Sequence, residues 1–174
     1  MSDKPRKYKF SWDLIGGDTA DSRPELGDST KLAVYRLFQF CIRDILEQRY
    51  GTEATDDIFR ETGVLAGREF FKTFCKDEKD IGSLANRIQT LFKELAIGIV
   101  RFEKVDVDNM TFQLTVDEDL DCSGLPDTQE QICVYDEGLI KGILDEFTGK
   151  SFNVKEVDCW CTGERTCRFL AKLS

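Results

Sequence analysis

The spacing of apolar residues changes period part-way along the chain, and that change restricts the fold more than any other feature. Up to about residue 95 the apolar residues recur at helical intervals; from Val100 onward they alternate, as strands do. Leu32, Val34, Tyr35, Leu37, Phe38, Phe40, Cys41, Ile42, Ile45 and Leu46 predict a first helix, with Ser29 or Thr30 as its cap and Gly51 as its stop. The stripe is wider than one surface helix needs. It is expected to be covered on two sides, by the chain's own core and by a partner or neighbouring helix. A second helix is expected from Thr52 to about Phe74. A third is capped by Ser83 and carries Leu84, Ile88, Leu91, Phe92 and Leu95.

Val100 to Val107 reads as a strand with imperfect alternation. Met110, Phe112, Leu114 and Val116 form a second strand after a tight turn at Asp108-Asn109. Leu120 to Gln129 is a polar loop. Gln131 to Phe147 returns to helical spacing and ends at Gly149. Phe152 to Trp160 and Cys167 to Leu173 are the last strands, joined by Thr162-Gly163-Glu164-Arg165. Helices first, then an antiparallel meander with one helix inserted before the final hairpin, give an α+β fold. Gly63 and Gly67 sit four apart on the second helix, and Gly138 and Gly142 repeat that spacing. A glycine inside a helix costs about 1 kcal/mol against alanine. Close packing of two backbones is the expected reason.

The length of 174 residues suits one domain with a short arm. Residues 1–28 are read as arm and loop, the arm being Lys7 to Ile15 and the loop Gly16 to Asp28. Residues 29–174 are read as a single domain. The formal charge of −9 argues against nucleic acid as a partner, because phosphate binding needs a basic stripe. No apolar run is long enough for a membrane span, and no signal peptide is visible, so a cytoplasmic location is expected. Seven cysteines and no histidine remove imidazole from every catalytic dyad and metal site. In a cytosolic chain such cysteines are metal ligands or core thiols rather than a disulfide framework.

The chemical signal is Cys159-Trp160-Cys161-Thr-Gly-Glu-Arg-Thr-Cys167, with three cysteines in nine residues across a turn. Cys133 opens the preceding helix, where a thiolate is stabilised. Glu156 shares strand parity with Phe152 and Val154, so its carboxylate faces the apolar side. A mostly thiolate set without a redox requirement indicates zinc. The donors are either Cys133, Cys159, Cys161 and Cys167, or three cysteines with Glu156 in place of Cys161. Joint ligation by Glu156 and Cys159 requires the strand to end or bulge near Asp158.

These residues carry a resemblance. Cys133-Val-Tyr-Asp-Glu-Gly138-Leu-Ile-Lys-Gly142, Glu156-x-x-Cys159, Gly163 and Cys167-Arg-Phe169 resemble the C-terminal signature of the 4-vinyl reductase, or hydrocarbon-binding, domain family. The likeness extends upstream through the first two helices. The family shares its fold with sensor domains of aromatic-responsive activators and with TRAPP-type tethering subunits. The resemblance implies a structural zinc on Cys133, Glu156, Cys159 and Cys167. It also implies a pocket for an aromatic or hydrocarbon-like molecule, for which Phe70, Phe74, Phe92, Leu95 and Phe112 are candidate walls. Phenol-sensing relatives use a pocket histidine, and this chain has none, so a greasier ligand is expected.

The function expected is therefore a zinc-stabilised, non-catalytic binding or sensing module for a small hydrophobic or aromatic ligand. A tetrapyrrole carrier or accessory protein of (bacterio)chlorophyll synthesis is the alternative, and a protein-interaction scaffold is the second. No Gly-x-Gly-x-x-Gly or acid–base pair supports an enzyme. A homodimer is expected from the wide stripe of the first helix and the two glycine pairs, with the arm before Gly16 crossing to the second subunit.

Overall fold

In this computed structural model residues 7–15 and 21–174 are described. Part of the charged N-terminus (1–6) and part of the expected loop (16–20) lie outside the described residues. The elements are α1 (Leu32–Tyr50), α2 (Thr52–Phe70), α3 (Ile81–Glu94), β1 (Ile99–Asp106), β2 (Thr111–Asp117), α4 (Val134–Thr148), β3 (Phe152–Asp158) and β4 (Cys167–Leu173). The fold is α+β, with four helices on a four-stranded antiparallel sheet of order β1-β2-β4-β3. β3 and β4 form the closing hairpin, and α4 is inserted before it, as the change of period predicts.

One face of the sheet carries the core. Phe112, Leu114, Val116, Phe152, Val154, Phe169 and Ala171 are buried there, under α3 on the β1 side and α4 on the β3 side. The opposite face is polar. Glu103 on β1 accepts from Gln113 on β2 (2.7 Å) and from Arg168 on β4 (2.9 Å), a row of side chains across three strands. The imperfect alternation of β1 has a local cause: its register against β2 shifts between Phe102 and Lys104. Such an extra residue turns every later side chain to the other face.

The glycine pairs meet each other. A Cβ on Gly63 or Gly67 would strike the carbonyl oxygen of Tyr135 or Leu139 on α4; one on Gly138 or Gly142 would strike that of Arg60 or Val64 on α2. Both pairs are thus spent on a contact within the chain, and the expectation that they join two copies is corrected. The rigid obstacle is backbone, which has no rotamer to yield.

Other expectations shift locally. α3 begins at Asp80, whose carboxylate accepts from Ser83 N (2.9 Å) while Ser83 closes the reciprocal capping bond. Ser83 is thus the third residue of the capping box rather than the cap itself. α1 has Lys31 at its N-cap and no side-chain cap. α2 runs on through a π turn, Phe71–Cys75. α4 starts at Val134, capped by Cys133, and ends at Gly149 in the left-handed conformation. The arm is a 3-10 turn, Trp12–Ile15, not a strand, and Trp12 sits edge-on against Phe74 of the same chain (centroids 4.9 Å apart).

Gly138→Ala is expected to destabilise the protein by about 3 kcal/mol, because the added methyl overpacks two backbones that cannot part without dismantling the core. Urea melts measure it. A loss below about 1 kcal/mol would mean the two helices are not held at this separation.

Candidate metal centre

Four cysteines from four different segments converge at one end of the sheet. Cys122 lies in the loop after β2, Cys133 caps α4, Cys159 follows β3, and Cys167 opens β4. All four are fully buried, and their sulfurs lie within 4.8 Å of one another. Cys122 and Cys167 are 3.1 Å apart, Cys133 and Cys167 3.7 Å, and Cys133 and Cys159 4.0 Å. All are free thiols. A tetrahedral ion with metal–sulfur bonds of about 2.3 Å places its sulfurs about 3.8 Å apart. The four thiols fit that geometry, and they could hold a metal ion.

Local structure explains the convergence. Asp119 Oδ1 accepts from the backbone N–H of Asp121 (2.8 Å) and of Cys122 (3.1 Å), which folds the loop into a tight turn. Arg36 on α1 donates to the carbonyls of Leu120 (2.9 Å) and Ser123 (2.8 Å) on either side of it. The register of β3 against β4 shifts between Glu156 and Asp158. That irregularity lies where the sequence requires it for Cys159 and Glu156 to face the same side. The Cys159 N–H then bonds the Thr162 hydroxyl (3.2 Å), and the short turn Trp160–Thr162 leads on toward Cys167.

The electrostatics of the cluster favour a cation. The thiols of Cys122, Cys133 and Cys167 donate toward Cys159 and hold its sulfur well below the usual thiol range. A divalent ion can take the place of those protons. Buried carboxyls crowd the same region. Burial, then the charge of Asp121, pushes Asp119 up to about 7. Burial and the same neighbours raise Asp136 further above the carboxylate range.

Of the residues the sequence proposes as ligands, Cys133, Cys159 and Cys167 come together. Glu156 stands beside them on the buried face of β3. Its Oε2 accepts from Cys133 N–H (3.2 Å), and its Oε1 is buried without a partner. Burial, then the adjacent Cys159, raises its carboxyl to about 9. The sulfur of Cys161 is buried but is not one of the four. Its backbone does other work: its carbonyl accepts from Thr128 N–H (3.0 Å) and Gln129 N–H (2.9 Å), tying the long loop to the hairpin. Cys122 is the member that the sequence reading left out. It sits in a loop without periodicity, and only the turn at Asp119 aims it inward.

The candidate pocket walls are placed mostly in the core. Phe70, Phe92 and Phe112 are buried, Phe70 and Phe92 packed edge-on with centroids 5.8 Å apart. Phe74 lies between Trp12 and Phe70. Leu95 is half exposed, at 49%. Phe92 borders a void of about 10 Å³ with Phe102, Leu114 and Ile143, room for one water at most. A larger cavity, about 360 Å³, lies instead between α1 and α2.

The model of the 4-vinyl reductase domain family matches residues 112–173, the span from β2 to β4 that contains all four clustered cysteines. Over 156 residues the chain is 26% identical to an uncharacterized protein of Methanocaldococcus jannaschii, covering 90% of this chain and 85% of that one. Among solved structures it is similar to the phenol-responsive sensory domain of the transcription activator PoxR with phenol (TM-score 0.63, 19% identity, 83% of this chain and 75% of that one). It is similar to a vinyl-4-reductase family protein from Methanocaldococcus jannaschii (0.59, 18%, 93% of each). It is also similar to a trafficking protein particle complex subunit 3 from Naegleria fowleri covalently bound to palmitic acid (0.62, 15%, 82% and 94%). At these identities what the solved structures share with the chain is the fold. No helix among the described residues is long and apolar enough to cross a membrane.

Beside the cysteines, buried Glu137 ties three elements. It accepts from Arg60 on α2 (3.0 Å) and from Lys155 (3.2 Å) and the backbone N–H of Glu156 (3.0 Å) on β3. Glu137→Ala is expected to cost about 2–3 kcal/mol by leaving that N–H unpaired in the interior. Denaturant melts test it, and a cost within about 0.5 kcal/mol, the spread of surface substitutions, would show the network to be incidental.

Proposed function

We infer, for a chain that carries a 4-vinyl reductase domain over residues 112–173, a zinc-stapled and non-catalytic module that binds or senses a small hydrophobic or aromatic molecule. The module spans residues 29–174, with 1–28 as its arm and loop. The observation that carries the reading is the cage of four buried thiols at Cys122, Cys133, Cys159 and Cys167. Four donors fill a tetrahedral ion and leave no open position for substrate or water, so the ion is structural. It joins the loop after β2, the start of α4 and both strands of the closing hairpin. Free thiols in this number suit a cytoplasmic protein. The ligand class is supported by the solved relatives, one with phenol and one with palmitic acid.

A second donor set has an observation in its favour. Glu156 Oε1 is buried without a partner next to Cys159. In that set Glu156 takes the fourth position beside Cys133, Cys159 and Cys167, and Cys122 stays a thiol. The two sets predict opposite results for Cys122→Ser and Glu156→Gln.

The module pairs with a second copy through α1. Val34, Leu37, Phe38, Ile42 and Ile45 on that helix are exposed, and α1 contains no buried residue. Val34, Phe38, Cys41 and Ile45 follow the alternating four-and-three spacing of a coiled-coil seam with no charge along it.

Elemental analysis of protein purified without added metal is expected to give about one zinc per chain. Chelation should lower the melting temperature, because metal binding is folding free energy. Cys159→Ser should lose the metal and Cys161→Ser should keep it. Loss on Cys122→Ser with retention on Glu156→Gln identifies the all-thiolate cage; the reverse identifies the carboxylate. Metal-free protein with an unchanged melting temperature would overturn the reading. Native mass spectrometry of the same preparation tests for a retained small molecule.

A further inference from the structure

The cavity between α1 and α2 has a consistent chemistry. It measures about 360 Å³, within the range of small-molecule sites. Phe38 and Ile42 of α1, Ile58 and Phe59 of α2, and Tyr135 of α4 supply its apolar walls. One wall atom is out of place in such a lining: Gln39 Oε1 is buried and accepts no hydrogen bond. An acceptor left in that state costs about 1–3 kcal/mol. The other polar groups are already engaged. Tyr35 donates to Asp121 Oδ1 (2.7 Å), and Thr62 donates to the carbonyl of Ile58 (2.7 Å). Lysine and arginine are absent from the lining, and the Asp121 carboxylate stands behind Tyr35.

We propose that this cavity, and not the packed core around Phe92 and Phe112, is the ligand site, and that it takes a neutral ring compound carrying one hydrogen-bond donor directed at Gln39 Oε1. The proposal rests on the ligand-binding function inferred above and gives that function a place and a chemical class. The ring body matches the aromatic and aliphatic walls. The donor satisfies the one open acceptor. An anionic ligand is disfavoured, since the site offers no cation and Asp121 lies close by.

Three probes of similar size separate these terms: 2-naphthol, naphthalene and 2-naphthoate. Isothermal titration on the metal-loaded full chain should show saturable binding of 2-naphthol, about tenfold tighter than naphthalene, which corresponds to one hydrogen bond. The carboxylate should not bind. Gln39→Leu should bring 2-naphthol to the affinity of naphthalene. Ile58→Trp, on the half-exposed face of α2, should fill the cavity and abolish both without lowering the melting temperature. Failure of 2-naphthol to saturate, or equal binding of 2-naphthol and naphthalene in the wild type, overturns the proposal. So does an Ile58→Trp variant that folds and binds as the wild type does. A small molecule retained in native mass spectra of both wild type and Ile58→Trp would sink this site while leaving the ligand-binding function standing.

Discussion

The arrangement depends on two helices that touch through their backbones. α2 and α4 meet at Gly63, Gly67, Gly138 and Gly142, where no side chain intervenes. A contact this close fixes translation along both axes, because each glycine faces a carbonyl of the other helix. It sets Arg60 of α2 within 3.0 Å of Glu137 of α4. It brings Tyr135 under the cavity that α1 and α2 enclose. It also fixes the start of α4, and with it the position of Cys133. The glycines weaken both helices in isolation, so the pairing must return more in packing than propensity loses.

At the cysteine end of α4 the problem is charge. The chain is acidic, and it buries Asp119, Asp121, Asp136, Glu137 and Glu156 around four thiols. Glu137 is neutralised by Arg60 and Lys155, and Asp121 accepts from Tyr35. Asp136 Oδ2 and Glu156 Oε1 have no such partner. A buried carboxylate without a cation protonates or destabilises. A divalent ion among the sulfurs lowers that cost for every neighbouring acid at once. The staple and the acidic surroundings are therefore one electrostatic unit, and the tight turn at Asp119 belongs to it as much as the cysteines do.

Much of this was readable in the residues. The change of period gave the α+β order, and the glycine spacing gave the close helix contact, though not its partner, since a four-residue repeat looks the same whether its mate is in the chain or in another copy. The bulge near Asp158 was legible because Glu156 and Cys159 could meet only through it. Cys122 was not legible: its inward aim comes from two backbone N–H bonds to Asp119, a loop conformation with no periodic trace. The pocket was misplaced for a related reason. Phe70, Phe92 and Phe112 at regular spacing signal burial, and burial by side chains of that size fills space. A cavity arises instead where packing is incomplete, beneath a helix that buries none of its residues.

That helix is held chiefly by polar bonds. Arg43 reaches Asp56 on α2 (2.5 Å), while Arg36 and Tyr35 reach the turn that carries Cys122. An apolar ligand beneath α1 would add the burial the helix lacks. Any shift of α1 toward the body must then carry Arg36 and Tyr35 with it, and these grip the loop at Leu120, Asp121 and Ser123. Phe38 and Ile42 border both the cavity and the outward apolar stripe. Whatever fills the cavity therefore changes the surface that a second copy would meet. In such an arrangement α1 is the moving part, the metal-stapled hairpin is the fixed one, and the loop at Cys122 is the hinge of contact between them.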